Sequence, residues 1–287
     1  MRNIKLTIQY DGTNYHGWQI QPIQGSEFGV RSLKHKEQKK NVITVQGILQ
    51  ETIKEITGED TKVIGAGRTD AGVHAIEQVA SFKTSTGLPP DIIKRALNAI
   101  LPDDIRIIGV HDAESTFHPR YDAKSKIYFY VISTDRTISP FLNRYIWKIP
   151  YKLNLDEMDV AIKFLKGKHD FAAFRASGCG AKSTVRTIFN ISLEVLNVIN
   201  FMTAGLNGNF LKIRIEADAF LRHMARNIVG TIIEVGKGKI SKEDIKKILA
   251  SKDRRFAGPA APTKGLFLEK INYCSSFFIF SINSLFS

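Results

Sequence analysis

The stretch Gly65-Ala66-Gly67-Arg68-Thr69-Asp70-Ala71-Gly72-Val73-His74 constrains this chain more than any other. It lies between two short apolar segments, Lys62 to Ile64 and Gln78 to Phe82, each of which reads as a strand. Three glycines, one acid and one arginine give it almost nothing apolar to bury. It must therefore be a tight connection whose backbone can approach a partner closely. An arginine two residues before an aspartate can hold that carboxylate ionised, because nearby positive charge favours the charged form. On the residues alone, Asp70 either caps local backbone N–H groups in a polar turn or is the centre of a site. A dinucleotide-binding loop is excluded, because the sixth position after Gly65-x-Gly67 is Asp70 and no helix with apolar spacing opens directly behind it.

The chain has 287 residues, enough for one large or two modest domains. Forty-one basic against twenty-eight acidic residues leave a net charge of +13. A field of that sign suits nucleic acid or an anionic membrane. No apolar run reaches the eighteen or so residues of a membrane helix, and the start, Met1-Arg2-Asn3-Ile4-Lys5, runs straight into an alternating strand rather than a signal peptide. Two cysteines, Cys179 and Cys274, make no disulfide framework. The seven histidines include no H-x-x-x-H pair. The expectation is a cytoplasmic protein without metal, redox cofactor or membrane anchor.

Ile4, Leu6, Ile8 and Tyr10 alternate with polar residues as a half-buried strand, and Asp11-Gly12-Thr13 turns the chain. The next residues, Asn14 to Gln19, are aromatic and amide-rich; Trp18 could stack on a base or simply pack a loop. Segment 22–43 carries Arg31, Lys34, Lys36, Lys39 and Lys40 and reads as a basic surface insertion. Helices are predicted over 44–57, with Leu49, Ile53 and Ile56 on one face and Gly58 as the stop, and from Pro90, with Ile93, Leu97 and Ile100 on one face. Ile105 to Val110 closes the first half as a strand.

The second half opens with a basic loop, Phe117 to Lys126, in which His118, Arg120 and Lys126 are candidate phosphate contacts. The following strand, Ile127 to Ile132, is apolar on both faces, with Tyr128 and Tyr130 pointing the same way. Asn154 and Glu157 make a capping-box-like start for a helix bearing Met158, Ile162 and Leu165, with Gly167 at its end. Phe189, Ile191, Leu193 and Val195 alternate as a strand, and Asn207-Gly208 signals a hairpin. In the segment from Phe220 to Gly230, Met224, Ile228 and Ile232 form a helical stripe, with Arg222 and Arg226 one turn apart. The pattern as a whole is α+β in two halves: 1–113, 114–273, and an apolar tail 274–287 that includes Phe277-Phe278-Ile279-Phe280.

The run Gly-Arg-Thr-Asp-Ala-Gly-Val-His at 67–74 resembles the signature of the TruA family of tRNA pseudouridine synthases. Further motifs agree: Tyr10-Asp11-Gly12-Thr13, Val45-Gln46-Gly47, Leu101-Pro102-Asp103-Asp104-Ile105, His169-Asp170-Phe171 with Phe174-Arg175, and Met224-x-Arg226-Asn227-Ile228-Val229-Gly230. Ala261-Pro262-x-Lys264-Gly265-Leu266 is similar to the family's closing strand. The resemblance implies two similar lobes sharing a largely antiparallel sheet, with flanking helices and an active-site cleft between the lobes. It implies isomerisation of uridine to pseudouridine at positions 38, 39 or 40 of the tRNA anticodon stem-loop, by a homodimer. Asp70 would be catalytic, Arg226 would keep it charged, and Tyr128 would stack on the uracil. Arg68 would help hold the target nucleotide open. Trp18, His118, Arg120, Lys126, Arg175 and Arg222 are candidate RNA contacts. The competing class is a basic RNA-binding protein without catalysis; Asp70 discriminates, since an acid beside RNA phosphates repels them.

Overall fold

Ile4, Leu6, Ile8 and Tyr10 are all buried on one face of β1 (Arg2–Tyr10), as their alternation predicts. The structure, a computed structural model, describes residues 1–20 and 43–274. Nearly all of the basic segment 22–43, and the tail beyond Cys274, lie outside the described residues. The first half continues with α1 (Val45–Thr57), β2 (Ile64–Gly65), β3 (His74–Thr84), α2 (Pro90–Ile100) and β4 (Ile105–Ala113). α1 has the ends its sequence asks for. Thr44 Oγ1 accepts the Gly47 N–H at 3.2 Å, and Gly58 takes a left-handed turn at φ 72°. Leu49 and Ile53 of α1, with Ile93 and Leu97 of α2, share one core with the inner face of β1.

The second half holds β5 (Ala123–Ser133), β6 (Trp147–Lys148), α3 (Leu155–Lys163), β7 (Gly167–Asp170), β8 (Val185–Phe201), β9 (Ala204–Ala217), α4 (Met224–Gly236), α5 (Asp244–Ser251) and β10 (Leu266–Tyr273). Asn154 caps α3 by accepting the Glu157 N–H at 3.2 Å. The strands run β4-β1-β3-β10-β5-β9-β8-β7 across one sheet, with β2 beside β3 and β6 beside β5. The last strand in sequence is thus inserted at the centre. β10 is antiparallel to β5, and it pairs in parallel with β3 through Phe267 opposite His74 and Leu268 opposite Ala75. That parallel step welds the halves into one continuous sheet; apart from it and β5–β6, the pairing is antiparallel. The fold is α+β with a largely antiparallel sheet. No helix among the described residues is long and apolar enough to cross a membrane.

Five local expectations are corrected. Asn207-Gly208 is not the hairpin turn: the chain reverses at Met202-Thr203, with Met202 at φ 54°, and the Asn-Gly pair lies inside β9. There the register slips between Leu196 and Val198, so the pair marks a bulge. A second slip, between Ile188 and Asn190, breaks the alternation of β8. Ile188 and Ile191 are buried while Phe189 and Val195 are exposed. Ile100, on the last turn of α2, is exposed rather than part of the buried face. The segment Ala261 to Gly265 is a loop, and its strand begins at Leu266. Finally, α4 begins at Met224, so Arg222 precedes the helix, and its residues from Asn227 to Gly236 are all buried.

Candidate active site

The Asp70 loop is held mainly by its own backbone. Ala66 N–H donates to Val79 O (2.8 Å), Gly72 N–H to Tyr15 O (3.2 Å), and Trp18 N–H to Thr69 O (3.1 Å). Gln78 donates to Gly67 O at 2.9 Å, and the buried hydroxyls of Tyr10 and Thr69 meet at 2.8 Å. Such close packing of two loops requires glycine. Gly17 sits at φ 89°, and a Cβ there would stand 2.4 Å from Thr69 O. A Cβ at Gly65 would stand 2.4 Å from the Trp18 ring. Trp18 is only 2% exposed, wedged beneath Gly65 and next to Tyr10. It is a core residue supporting the loop, and base stacking by it is ruled out by burial.

Asp70 itself is half-buried, and the second half of the chain supplies its partners. Arg226 Nη1 donates to Asp70 Oδ2 at 3.2 Å. The guanidinium is aimed by a second bond, Nε to Ala261 O at 2.7 Å, while Ala261 N–H returns to Arg226 O at 3.0 Å. His223 Nε2 reaches the same Asp70 oxygen at 3.4 Å. His223 has a left-handed backbone (φ 62°, ψ 4°) immediately before α4, a conformation uncommon for a residue with a side chain. Sequence reasoning misses this histidine. Its only signal is its place in the segment from Phe220 to Gly230, three residues ahead of Arg226.

Tyr128 and Tyr130 both face inward from β5, as predicted, but they differ in what they do. Tyr130 is committed to structure: its hydroxyl donates to Pro262 O at 2.6 Å. The Tyr128 ring packs edge-on against Phe220, 4.8 Å between centroids, and its hydroxyl has no hydrogen-bond partner among the described residues. Burial pushes the Tyr128 hydroxyl upward, and the neighbouring Tyr10 and the Asp70 charge add to the shift. Burial likewise pushes the Tyr10 hydroxyl up to about 12. Tyr128 is therefore neutral and a proton donor at physiological pH.

The other candidates divide by exposure. Arg68 is exposed and makes no ion pair among the described residues, so the charge beside Asp70 comes from Arg226 and not from its sequence neighbour. Lys126 is not part of the surface loop. It lies on β5, 9% exposed, and donates Nζ to Ala66 O at 2.6 Å beneath the Asp70 loop. Burial, then Arg120 and Arg186, push its pKa down to about 8. His118 is half-buried and turns inward, its Nδ1 accepting the N–H groups of Arg120 (3.2 Å) and Tyr121 (3.3 Å). Arg120, Arg175 and Arg222 are exposed, with Ala176 N–H bonded to Arg222 O at 2.9 Å. Burial lowers the His223 pKa most; Asp70 opposes this, while Arg226, Arg222 and Arg254 reinforce it. Among the described residues no group of three or more His, Cys, Asp or Glu is placed to hold a metal ion. The site is thus one carboxylate, one fixed arginine, one imidazole and one neutral phenol, joined across the two halves.

A family model described as tRNA pseudouridine synthase matches residues 7–122 and 161–274. The tRNA pseudouridine synthase A of Thermoanaerobacter sp. (strain X514) is 45% identical over 273 residues, covering 95% of this chain and all of that protein. That of Thermodesulfovibrio yellowstonii is 44% identical over 273 residues, with the same coverage. Among solved structures, an H/ACA RNP bound to a substrate RNA containing 2'-deoxyuridine aligns over 66% of this chain and 39% of its own, at 14% identity and a TM-score of 0.28. The stretches matched by the family model lie in both halves and include Asp70, His223 and Arg226. This chain belongs to the tRNA pseudouridine synthase family.

Proposed function

We propose that this chain isomerises uridine to pseudouridine in the anticodon stem-loop of tRNA, at positions 38 to 40, with Asp70 as the catalytic residue. The observation that carries the reading is the Asp70 carboxylate, held at one oxygen by Arg226 from the other half of the chain. The reaction breaks the N1–C1′ bond, turns the uracil and bonds C5 to C1′. The C5 proton leaves and N1 takes one up, so the product is an isomer and nothing is oxidised. Asp70 either attacks as a nucleophile or removes the C2′ proton to give a glycal; either way it acts through the carboxylate that Arg226 holds at Oδ2. Tyr128 stacks on the uracil. Arg68, exposed beside Asp70, holds the opened nucleotide.

A stacked uridine hides its C1′ face, so the target leaves the helix at a cost of a few kcal/mol. Phosphate contacts from the exposed Arg120, Arg175 and Arg222 offset that cost and make binding salt-sensitive. Such an enzyme works where tRNA is, in the cytoplasm. It acts as a homodimer, a reading supported by the free edge of β8. Residues 189–201 of that strand have no partner on the side away from β9 among the described residues, and they carry one acid, no base and no proline. An edge so poorly protected invites strand pairing with a second copy. Lysines in place of Val195 and Val198 should give a monomer in sedimentation; an unchanged dimer would refute this interface. The modification itself is read by carbodiimide adducts on a treated tRNA transcript. Reverse-transcription stops at positions 38 to 40 support the proposed function, and a transcript without stops contradicts it.

A further inference from the structure

Asp70 accepts from Arg226 Nη1 on Oδ2 at 3.2 Å, and His223 Nε2 lies against the same oxygen at 3.4 Å without forming a hydrogen bond. Its other oxygen, Oδ1, has no hydrogen-bond partner among the described residues, although the side chain is 29% exposed. One Nη1 contact does not fix a carboxylate plane, because the group can rotate about it; a second donor from another direction does. His223, 3.4 Å from the same oxygen, is the side chain placed to become that second donor. The backbone pays for its placement, since His223 is one of three non-glycine residues at positive φ among the described residues, and strain of this kind clusters at working sites. The other two, Met202 and Lys252, lie at a hairpin turn and at the end of α5. At 3.4 Å the contact is not yet a hydrogen bond, and catalytic contacts of this kind tighten when substrate binds.

We propose that His223 is a positioning residue which, together with Arg226, pins Oδ2 of Asp70 so that Oδ1 is the oxygen presented to the ribose. The inference rests on the function proposed above. It requires the tautomer with hydrogen on Nε2, the one the facing carboxylate selects. The charged groups around the imidazole are Asp70, Arg226, Arg222 and Arg254. The last is itself engaged, donating to Asn227 Oδ1 at 3.1 Å and to Ala257 O at 3.0 Å. Asp70 is therefore the partner of opposite charge.

His223→Gly separates the imidazole from the backbone, because glycine adopts φ 62° without strain. His223→Gln restores an N–H donor without restoring a ring. The experiment compares both with the wild type in steady-state conversion of an unmodified tRNA transcript and in thermal melting. The expected result for His223→Gly is kcat lower by roughly tenfold or more, with KM within about twofold and the melting temperature not lowered. His223→Gln should recover a substantial part of kcat. Wild-type kcat in the Gly variant would overturn the proposal. So would a loss of kcat that follows a fall in melting temperature and is not relieved by Gln. An inactive wild type would instead defeat the functional reading itself, which keeps the two failures apart.

Discussion

On the first-half side of the site, Asp70 rides on a loop whose backbone is bonded to β3 and to the segment from Tyr15 to Trp18, with Gly17 and Gly65 allowing the contact. On the second-half side, Arg226, His223 and Tyr128 are placed by side-chain bonds and by the packing of α4 and β5. The first wall is made of main chain and tolerates no added volume. The second is made of functional groups, each aimed by one or two contacts. Changes to the first wall should therefore register mainly as lost stability, and changes to the second mainly as lost turnover.

Arg226→Lys tests the second wall most severely. An ammonium cannot bond Ala261 O and Asp70 together as the guanidinium fork does. We expect kcat to fall about a hundredfold, in line with the loss of a charge-assisted contact in a transition state, with little change in melting temperature. A large fall in melting temperature with kcat preserved would reverse the assignment of the two walls.

Gly65→Ala tests the first. The Trp18 indole blocking the new methyl is fully enclosed, so the loop or the ring must shift, at about 1–3 kcal/mol. Denaturant unfolding should show that loss, and activity should fall because the loop moves. A variant as stable as the wild type would mean that the wall is softer than its contacts indicate.

Lys126 crosses between the walls and gives the smallest effect. Its pKa is lowered from 10.5 to about 8, so between those values the unfolded chain binds the proton more strongly than the folded one. Native stability attributable to Lys126 then rises with pH across that window, and below it the penalty of a buried ammonium is felt in full. The stability of Lys126→Met relative to wild type should accordingly decline as pH is raised from about 7 to about 10. A difference independent of pH would show that the ammonium is not desolvated in the folded chain.

How much of the molecule is legible in its sequence depends on how local each cause is. α1 is legible because Thr44, its apolar stripe and Gly58 all act within a few residues of the helix. Asp70, Tyr128 and Arg226 are named by motif resemblance, and the structure brings Asp70 and Arg226 into contact. Trp18 and Lys126 mislead because an aromatic or a lysine in a polar segment says nothing about which distant glycine or carbonyl it will lie against. Asn207-Gly208 misleads because a bulge and a turn both ask for residues that accept unusual backbone angles. The parallel step between β3 and β10 joins residues nearly two hundred positions apart, and no local pattern encodes it. His223 escapes notice because its left-handed backbone ahead of α4 and its approach to Asp70, more than a hundred positions away, leave no local pattern in the sequence.

The most direct test of the account is tritium release from tRNA transcript labelled at uridine C5, with wild-type protein and Asp70→Ala measured side by side, together with tRNA binding by both. We expect release by the wild type, a loss of at least about a thousandfold in Asp70→Ala, and tRNA affinity in the variant equal to or tighter than that of the wild type. Asp70→Glu should be inactive as well, because one methylene moves the carboxylate out of reach. If neither the wild type nor Asp70→Ala releases tritium while both bind the tRNA, the chain is an RNA binder and the catalytic account is contradicted.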